Sequence, residues 1–478
     1  MRSGSLKVLA VASEVFPLIK TGGLADVTGA LPGALAKRGI AVTTLVPGYP
    51  AVVAALANPS AALPVPDLFG GPATVLRGSA AGLDLLVLAA PHLYDRPGNP
   101  YLGPEGHDWP DNAIRFAALG AVAAMIGRGA ISGYQPAVLH AHDWQAGLTA
   151  AYLAFGGPNP PPSVMTVHNL AFQGQFPASL LQTLGFPQSA FRYDAIEHHG
   201  MIGYLKAGLQ LSTHVTTVSP TYADEIRTPH AGMGLDGLLR YRGEAMSGIL
   251  NGIDTDVWNP ADDPLIARAY DPSHLKRKSG NKAALQMRLG LATEPAAPLF
   301  GVISRLSWQK GLDLLPAVVP HLIASGAQLA VLGSGDRELE ASFRAQAGTF
   351  AGKVACTIGY DEALAHQIQA GCDFLVVPSR FEPCGLTQLC ALRYGTVPVV
   401  SRVGGLADTV EDGRTGIVFT EVDTAGLTRA LDRAVALYHT PRAFRRLARN
   451  GMVRDVSWDA PAQAYARLYR ALARPTPI

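Results

Sequence analysis

Cysteine is scarce in this sequence, which contains four in 478 residues. All four lie in the C-terminal half, at Cys356, Cys372, Cys384 and Cys390, and no two of them form a Cys-x-x-Cys pair. This pattern excludes a disulfide framework and a zinc ribbon. It is typical of a protein from a reducing compartment.

The sequence also lacks an excess of charge of one sign and a long hydrophobic run. It has 39 basic and 37 acidic side chains, a net charge of +2, and the two signs are interspersed. Neither a nucleic acid nor an anionic membrane is therefore expected as a partner. No apolar stretch reaches the roughly 18 residues of a membrane-spanning helix, and the start of the chain resembles neither a signal peptide nor a transit peptide. We expect a cytoplasmic protein.

The sequence does contain two series of short apolar runs that alternate with helix-like segments such as 111–129 and 361–371. The first series of predicted strands is 7–12, 41–46, 83–90, 137–142, 163–168 and 214–219. The second is 299–304, 327–333, 353–359, 373–379 and 396–401. Continuous apolar strands are buried on both faces, as in a parallel sheet covered by helices. The pattern predicts an α/β protein with two doubly wound domains, and the polar segment 251–264 is the expected hinge.

The pentapeptide Gly-Gly-Leu-Ala-Asp occurs twice, at 22–26 and 404–408. The first copy follows the first strand of its series and the second follows the last strand, so the copies do not indicate an internal duplication. Both place glycines at a strand-to-helix turn, where backbone N–H groups stay open to a ligand. We expect the second copy to be structural, with Asp408 capping a helix.

Cationic side chains occur in two of the predicted strand-end loops. Lys20 lies beside Gly22 and Gly23 in a loop that is not a Walker A motif, because the Gly-Lys-Ser/Thr ending is missing. Arg305 and Lys310 lie five residues apart in "SRLSWQKG", a spacing suited to holding a pyrophosphate from two sides. A solvated lysine and a surface pair without a ligand are the alternatives.

A carboxylate and several histidines follow other strands. Glu382 precedes a turn after which Gly385, Leu386 and Thr387 open a helical run, so N–H groups there favour an anion. The alternative is an ordinary helix start. His168 ends one strand, and the segment "HAHDW" (140–144) ends the strand before it; structural histidines are the alternative.

Three further patterns suggest chemistry that we do not expect here. "LGSGD" (332–336) lacks the third glycine of a dinucleotide fingerprint. "DTD" (254–256) lies in the hinge rather than after a strand, and "HH" (198–199) has no third metal ligand at a fixed spacing.

The chain resembles the bacterial glycogen synthase and plant starch synthase family over nearly its whole length. The motifs that carry the resemblance are "KTGGLADV" (20–27), "DRPGNPY" (95–101), "HAHDWQAGL" (140–148), "TVHNLAFQG" (166–174), "TTVSPTYADEI" (216–226), "NGIDTDVWNP" (251–260), "SRLSWQKGLDL" (304–314), "EPCGLTQL" (382–389) and "GGLADTV" (404–410).

The resemblance implies a GT-B fold, in which two Rossmann-like domains face each other across a deep cleft. The N-terminal domain would comprise 1–254, joined by a returning C-terminal helix at 458–478, and the nucleotide-sugar domain would comprise 255–457. The implied reaction moves α-D-glucose from ADP-glucose to the non-reducing end of an α-1,4-glucan, such as glycogen or a maltooligosaccharide. Anomeric configuration is retained, ADP is released, and neither a cofactor nor a metal is expected.

The resemblance also implies roles for individual residues. The catalytic set is Glu382, Arg305, Lys310 and His168. The ADP-glucose-binding set is Lys20, Gly22, Gly23, Asn251, Tyr360, Cys384, Gly385, Leu386 and Thr387. The acceptor-side set is Asp26, Asp143 and Tyr94. Glu382 is either a nucleophile or a stabiliser of positive charge on the sugar, and we favour the stabiliser.

Three alternatives are weighed against this interpretation. A catalytically inactive glucan-binding relative would have lost charge in the loops, yet all of the following are present: Lys20, His168, Arg305, Lys310 and Glu382. A UDP-glucose-dependent GT-B enzyme would resemble this chain mainly in its C-terminal half. An NAD-dependent oxidoreductase would need a complete glycine fingerprint.

Overall fold

In the computed structural model, which describes residues 5–474, the chain forms two α/β units. The N-terminal unit comprises the residues up to Asn251 together with those from Trp458 onward, and the C-terminal unit comprises Gly252–Ser457. The chain therefore leaves the N-terminal unit once and returns to it at its end.

The N-terminal unit is built on a 9-stranded sheet. The strands of the whole unit, in both of its sheets, are β1 (Leu6–Val11), β2 (Ile40–Pro47), β3 (Ala57–Val65), β4 (Ala73–Ala80), β5 (Leu83–Ala89), β6 (Val138–His142), β7 (Ser163–Val167), β8 (Gln175–Pro177), β9 (Glu197–His198), β10 (Met201–Gly203), β11 (His214–Thr217) and β12 (Met246–Gly248). The large sheet has the order β12-β11-β7-β6-β1-β2-β5-β4-β3. It is parallel from β12 to β5, and β4 pairs antiparallel with β5 and β3. A separate antiparallel sheet has the order β8-β10-β9.

Helices separate these strands. They are α1 (Gly23–Ala36), α2 (Pro50–Ala55), α3 (Pro91–Tyr94), α4 (Asn112–Gly127), α5 (Asp143–Phe155), α6 (Tyr204–Leu211), α7 (Pro220–Glu225) and α8 (Asp236–Arg242), with 3-10 turns at Ala178–Leu180, Gln188–Ala190 and Gly243–Ala245. α5 and α6 can approach closely because Gly147 has no side chain. A Cβ at this position would overlap the carbonyl oxygen of Tyr204.

The C-terminal unit is built on a 6-stranded parallel sheet in the order β15-β14-β13-β16-β17-β18. Its strands are β13 (Leu299–Ile303), β14 (Gln328–Gly333), β15 (Val354–Ile358), β16 (Phe374–Val377), β17 (Val397–Ser401) and β18 (Ile417–Phe419). Its helices are α9 (Lys278–Arg288), α10 (Leu315–Ala324), α11 (Arg337–Thr349), α12 (Glu362–Gly371), α13 (Thr387–Arg393), α14 (Gly404–Thr409), α15 (Thr424–Tyr438) and α16 (Pro441–Met452), with a 3-10 turn at Leu275–Arg277.

Strands of this unit are buried on both faces, as their continuous apolar sequences predict. In β16, Phe374 and Val376 belong to one hydrophobic cluster, while Leu375 and Val377 belong to another. Because successive side chains of a strand point to opposite faces, the two clusters are the cores above and below the sheet. The prediction of two doubly wound α/β domains is confirmed.

The last helix, α17 (Asp459–Leu472), belongs to the N-terminal unit. Its Tyr465 and Tyr469 are buried in one cluster with Val8 and Leu31. The hydroxyl of Tyr469 also hydrogen-bonds to Nδ1 of His140 at 2.7 Å. The helix thus completes a core whose other walls are made at the start of the chain.

Candidate active site

The predicted site residues of the N-terminal unit follow neighbouring strands. β12, β11, β7, β6 and β1 are adjacent and parallel, so the loops after them share one edge of the sheet. Lys20 follows β1, Asp143 follows β6, His168 follows β7 and Asn251 follows β12. The topology therefore places side chains that are far apart in sequence along a single edge.

The loop after β1 is held by Glu14. This buried carboxylate accepts hydrogen bonds from the backbone N–H of Thr21, from its hydroxyl at 2.6 Å, and from the hydroxyl of Tyr101. Lys20 forms a partly exposed ion pair with Asp26, with 2.7 Å between Nζ and Oδ1. The buried carboxylate of Glu14 thus fixes the backbone of the loop next to the cation Lys20.

The first Gly-Gly pair opens α1. Gly22 precedes the helix in extended backbone and Gly23 is its first residue. No atom lies within 4 Å of where a Cβ on Gly22 would stand. Packing therefore does not require this glycine, and the space beside it is open to a ligand.

Tyr94, which follows β5 at the end of α3, lies in the core. Its side chain is 0% exposed and its hydroxyl donates to the carbonyl of Arg115. The expected acceptor role of Tyr94 is corrected on this ground, because a fully buried, hydrogen-bonded phenol offers no surface to a glucan. Tyr101, which the sequence interpretation missed, is the last residue of the motif 95–101, and its hydroxyl donates to Glu14.

Three histidines form a row at the ends of β6 and β7. The ring centroids of His140 and His142 are 4.0 Å apart, and those of His142 and His168 are 5.2 Å apart. Nδ1 of His142 lies 3.0 Å from Nε2 of His168. Burial lowers the pKa of His140 and of His168 to about 3, and lowers the pKa of His142 well below its ordinary value. All three imidazoles are therefore neutral at pH 7.

Asp143 forms a hydrogen bond with the backbone of His168. Its carboxylate accepts the N–H of His168 at 2.7 Å, and its own φ of 56° is in the left-handed region. Burial raises the pKa of Asp143 to about 7, against the opposing effect of hydrogen bonds from the backbone of His168 and Asn169. Such a conformation is strained for a residue other than glycine, and strained residues concentrate at functional sites.

Asn251 ends this edge with an unsatisfied group. The residue is 8% exposed, and its side-chain oxygen has no hydrogen-bond partner among residues 5–474. A buried carbonyl without a donor costs free energy, so the position favours a ligand hydroxyl.

In the C-terminal unit, Lys310 and Glu382 meet at the ends of β13 and β16, which are neighbours in the sheet. Nζ of Lys310 lies 2.5 Å from Oε2 of Glu382, which also accepts the hydroxyl of Ser379 at 2.9 Å. Glu382 is 5% exposed. A buried carboxylate needs such a cation and donor, and the pair therefore fixes the position of both charges.

The loops that carry this pair are fastened to each other. Arg380 binds Asp313 through both guanidinium nitrogens at 2.6 and 2.7 Å, and its guanidinium lies 4.6 Å from the ring centroid of Trp308. At Gly311, where φ is 65°, a Cβ would overlap the carbonyl oxygen of Pro378. Only glycine allows the two loops to approach this closely.

Arg305 of the predicted catalytic set and Tyr360 of the predicted ADP-glucose-binding set are both exposed. Arg305 is exposed in the loop after β13. Tyr360 follows β15, is 72% exposed and donates its hydroxyl to Glu362. Both side chains are accessible to a ligand.

The Cys-Gly-Leu-Thr segment leads from Glu382 into α13. Cys384 is buried, Gly385 has a φ of 73°, and Thr387 is the first residue of the helix after Leu386. The segment is a tight turn whose N–H groups precede the helix.

The second Gly-Gly pair supports this turn. The N–H of Gly405 donates to the carbonyl of Glu382 at 3.0 Å, and a Cβ on Gly405 would overlap the backbone of Cys384. The expected helix cap at Asp408 is wrong, since Asp408 lies inside α14 and Val403 is at its N-cap. The pair is a packing element of the Glu382 turn.

The glycines of "LGSGD" also have a structural explanation. A Cβ on Gly333 would overlap the carbonyl oxygen of Ser304, and one on Gly335 would overlap that of Leu306. In "DTD", the carboxylate of Asp254 accepts backbone N–H groups of its own turn at 2.9 and 3.2 Å.

Among residues 5–474, no group of three His, Cys, Asp or Glu side chains is placed to hold a metal ion. Within the same part of the chain, no helix is long and apolar enough to cross a membrane.

Both units of the chain match known families. Residues 7–241 match the family described as "Starch synthase catalytic domain", and residues 297–436 match "Glycosyl transferases group 1". A glycogen synthase of Rhodopseudomonas palustris is 60% identical over 477 residues, covering 98% of this chain and 99% of the relative. One of Methylocella silvestris is 58% identical over 478 residues, covering 98% and 99%.

A solved structure has the same fold. The catalytic domain of Starch Synthase IV from Arabidopsis thaliana, bound to ADP and acarbose, is 33% identical with a TM-score of 0.89, and the match covers 98% of this chain and 100% of that one. Two Rossmann-like units with these strand-end loops define a glycosyltransferase of the GT-B class. Within that class, the chain belongs to the bacterial glycogen synthase and starch synthase family.

Proposed function

We propose that this enzyme transfers α-D-glucose from ADP-glucose to the non-reducing end of an α-1,4-glucan, with retention of configuration. The bond between C1 of glucose and the diphosphate oxygen breaks, and a bond forms between C1 and O4 of the acceptor. The proton of the acceptor hydroxyl passes to the departing diphosphate, so ADP is the second product. The starch synthase that shares the fold binds ADP and acarbose, which supports the choice of nucleotide and glucan.

The paired charges of Lys310 and Glu382 carry the proposal. An ammonium group has three donors, so Lys310 can keep its contact of 2.5 Å with Glu382 and still donate to a diphosphate oxygen. Arg305, on the same loop, supplies a second cation to the diphosphate. Lys310 and Arg305 together stabilise the negative charge of the departing diphosphate. In other transferases a metal ion stabilises this charge.

Glu382 is the anion for the sugar. Because Lys310 and Ser379 hold its Oε2, the carboxylate is fixed before the donor arrives. We propose that it stabilises positive charge that develops on the glucosyl ring. Fixed charges of this kind stabilise a transition state without the cost of reorienting during the reaction.

We propose the remaining roles from the resemblance to the family. His168 and Asn251 bind glucose hydroxyls, and Lys20 with the Gly22-Gly23 turn contacts the donor. Tyr360 stacks on adenine, and the segment from Cys384 to Thr387 contributes N–H groups to the phosphates. On the acceptor side we retain Asp26 and Asp143.

The test is glucosyl transfer to glycogen in the presence of EDTA, comparing ADP-glucose with UDP-glucose. We expect ADP-glucose to be the better donor, and Glu382→Gln and Lys310→Gln each to lose about 10²–10³-fold in kcat. Lys353→Gln is the matched control, because it removes an exposed ion pair with Glu294 of 2.7 Å that lies at no strand end of the site. Transfer from UDP-glucose alone, or full activity of Glu382→Gln, would contradict the proposal.

A further inference from the structure

His142, the middle histidine of the row, has not yet been given a role. His140 is satisfied at both nitrogens, by the hydroxyl of Tyr469 at 2.7 Å and by that of Thr166 at 2.5 Å. His142, which is 2% exposed, spends its Nδ1 on Nε2 of His168 at 3.0 Å. A buried polar side chain whose hydrogen bond goes to a site residue is a candidate for orienting that residue.

Strand register explains why this contact forms. β6 and β7 pair with His140 opposite Val164 and His142 opposite Thr166. Since side chains alternate along a strand, His140 and His142 lie on one face of the sheet. His168 comes two residues after Thr166 and extends the same row. The ring of His142 is thereby placed against the ring of His168.

Between two neutral rings this hydrogen bond has two possible arrangements. One imidazole must donate and the other accept, and the choice decides whether the remaining nitrogen of His168, Nδ1, is a donor or an acceptor. Nδ1 of His168 has no hydrogen-bond partner among residues 5–474, and His168 is only partly buried. That nitrogen is the one left for a substrate.

Consecutive residues hold His168 from two directions. Asp143 binds its backbone N–H at 2.7 Å and adopts a φ of 56° to do so. His142, the residue before, binds its ring. A left-handed residue at this junction lets both side chains reach the same histidine, and its strain is consistent with a functional requirement.

We propose that His142 is a positioning residue that donates its Nδ1–H to Nε2 of His168, so that His168 carries its proton on Nδ1 and offers a donor to a glucose hydroxyl. The inference rests on the proposed function of the His168 site. The reverse arrangement would put the proton of His142 on Nε2, which has no hydrogen-bond partner among residues 5–474. An unpaired donor on a side chain that is 2% exposed costs more free energy than an unfilled acceptor lone pair.

Substitutions that imitate one ring nitrogen at a time test the proposal. The amide of His142→Asn stands close to the position of Nδ1 and can still donate, whereas that of His142→Gln stands close to the position of Nε2. We expect Asn to keep kcat within about threefold of the wild type, and Gln and His142→Leu to lose about tenfold or more, as partners that orient functional imidazoles do. His140→Gln reports the effect of disturbing the row without breaking the bond to His168.

A double-mutant cycle separates positioning from packing. If His142 acts through His168, then His142→Leu has little further effect on kcat in a His168→Ala background. Losses that multiply fully, or losses that follow the melting temperature across all variants, would overturn the proposal.

A spectroscopic measurement decides the proton position without using activity. In the full chain labelled with ¹⁵N-histidine, with His168 assigned by the signals missing from His168→Ala, the two-bond couplings report the tautomer. We expect the proton of His168 on Nδ1 in the wild type and in His142→Asn, and a mixture in His142→Leu. A proton on Nε2 in the wild type would overturn the proposal, whereas absence of transfer from ADP-glucose would contradict only the proposed function.

Discussion

At the scale of single residues, Asp143 links the stability of the N-terminal unit to pH. Burial raises its pKa to about 7, the nearby Glu14 carboxylate adds to the rise, and backbone hydrogen bonds oppose it. In an unfolded chain the same carboxyl titrates near about 3.9. Between these two values the native state binds a proton that the unfolded state does not. The contribution of Asp143 to the free energy of unfolding therefore falls as the pH rises through this range, by up to about 1.4 kcal/mol per pH unit.

Replacing Asp143 by Asn removes that dependence. Asn tolerates the left-handed backbone better than most residues, so the fold is retained. We expect the free energy of unfolding of Asp143→Asn, relative to the wild type, to increase between about pH 5 and pH 7 and to stay constant above it. Urea titrations at several pH values measure the difference. Asp194→Asn is the control, because the partner Arg192 holds the pKa of Asp194 below its ordinary value. Parallel curves for both variants would contradict the expectation.

At the scale of elements, the two Gly-Gly-Leu-Ala-Asp copies differ in what surrounds them. A Cβ on Gly405 would overlap the backbone of Cys384, while nothing lies within 4 Å of one on Gly22. We expect Gly405→Ala to lower the free energy of unfolding of the C-terminal unit by about 1–3 kcal/mol and to reduce transfer by displacing the Glu382 turn. Gly22→Ala should leave stability within about 0.5 kcal/mol and raise the KM for the donor. Equal destabilisation by the two substitutions, measured by chemical denaturation, would contradict this account.

The parallel strands were predictable because burial on both faces makes their sequences continuously apolar. The sequence analysis missed the antiparallel strands β3 and β4. β3 does not have a continuous apolar sequence, because it is exposed along most of its length and contains Asn58, Pro59 and Ser60. Short strands such as β9 (Glu197–His198) carry too few residues to show a period.

The placement of the candidate site residues after strands was predictable from the sequence, whereas their tertiary contacts were not. Tyr94 precedes the motif 95–101 and Tyr101 is its last residue, and only packing reveals that Tyr94 is in the core. Glu14 closes a strand but contacts Thr21 and Tyr101 from elsewhere in the chain. The support that Gly405 gives to Glu382 likewise joins loops after different strands.

At the scale of the whole molecule, the division into two units predicts two unfolding transitions. Tyr469 is buried in the N-terminal unit and Phe374 in the C-terminal unit. Removing either large ring costs about 3–5 kcal/mol. In scanning calorimetry, we expect Tyr469→Ala to lower one transition temperature and Phe374→Ala to lower the other. A single transition that both substitutions lower equally would show that the units unfold together.

The order of the chain has a consequence for its synthesis. The core between the first strand and α17 needs residues from both ends of the sequence, and the segment Gly252–Ser457 is made between them. At about 5–20 residues per second, the ribosome needs roughly 10–40 s for that segment. During this interval the apolar face that includes Val8 and Leu31 awaits a helix that has not yet been translated. A nascent chain in this state is a ready client for chaperones, and the translation of α17 determines when its first-made domain is closed.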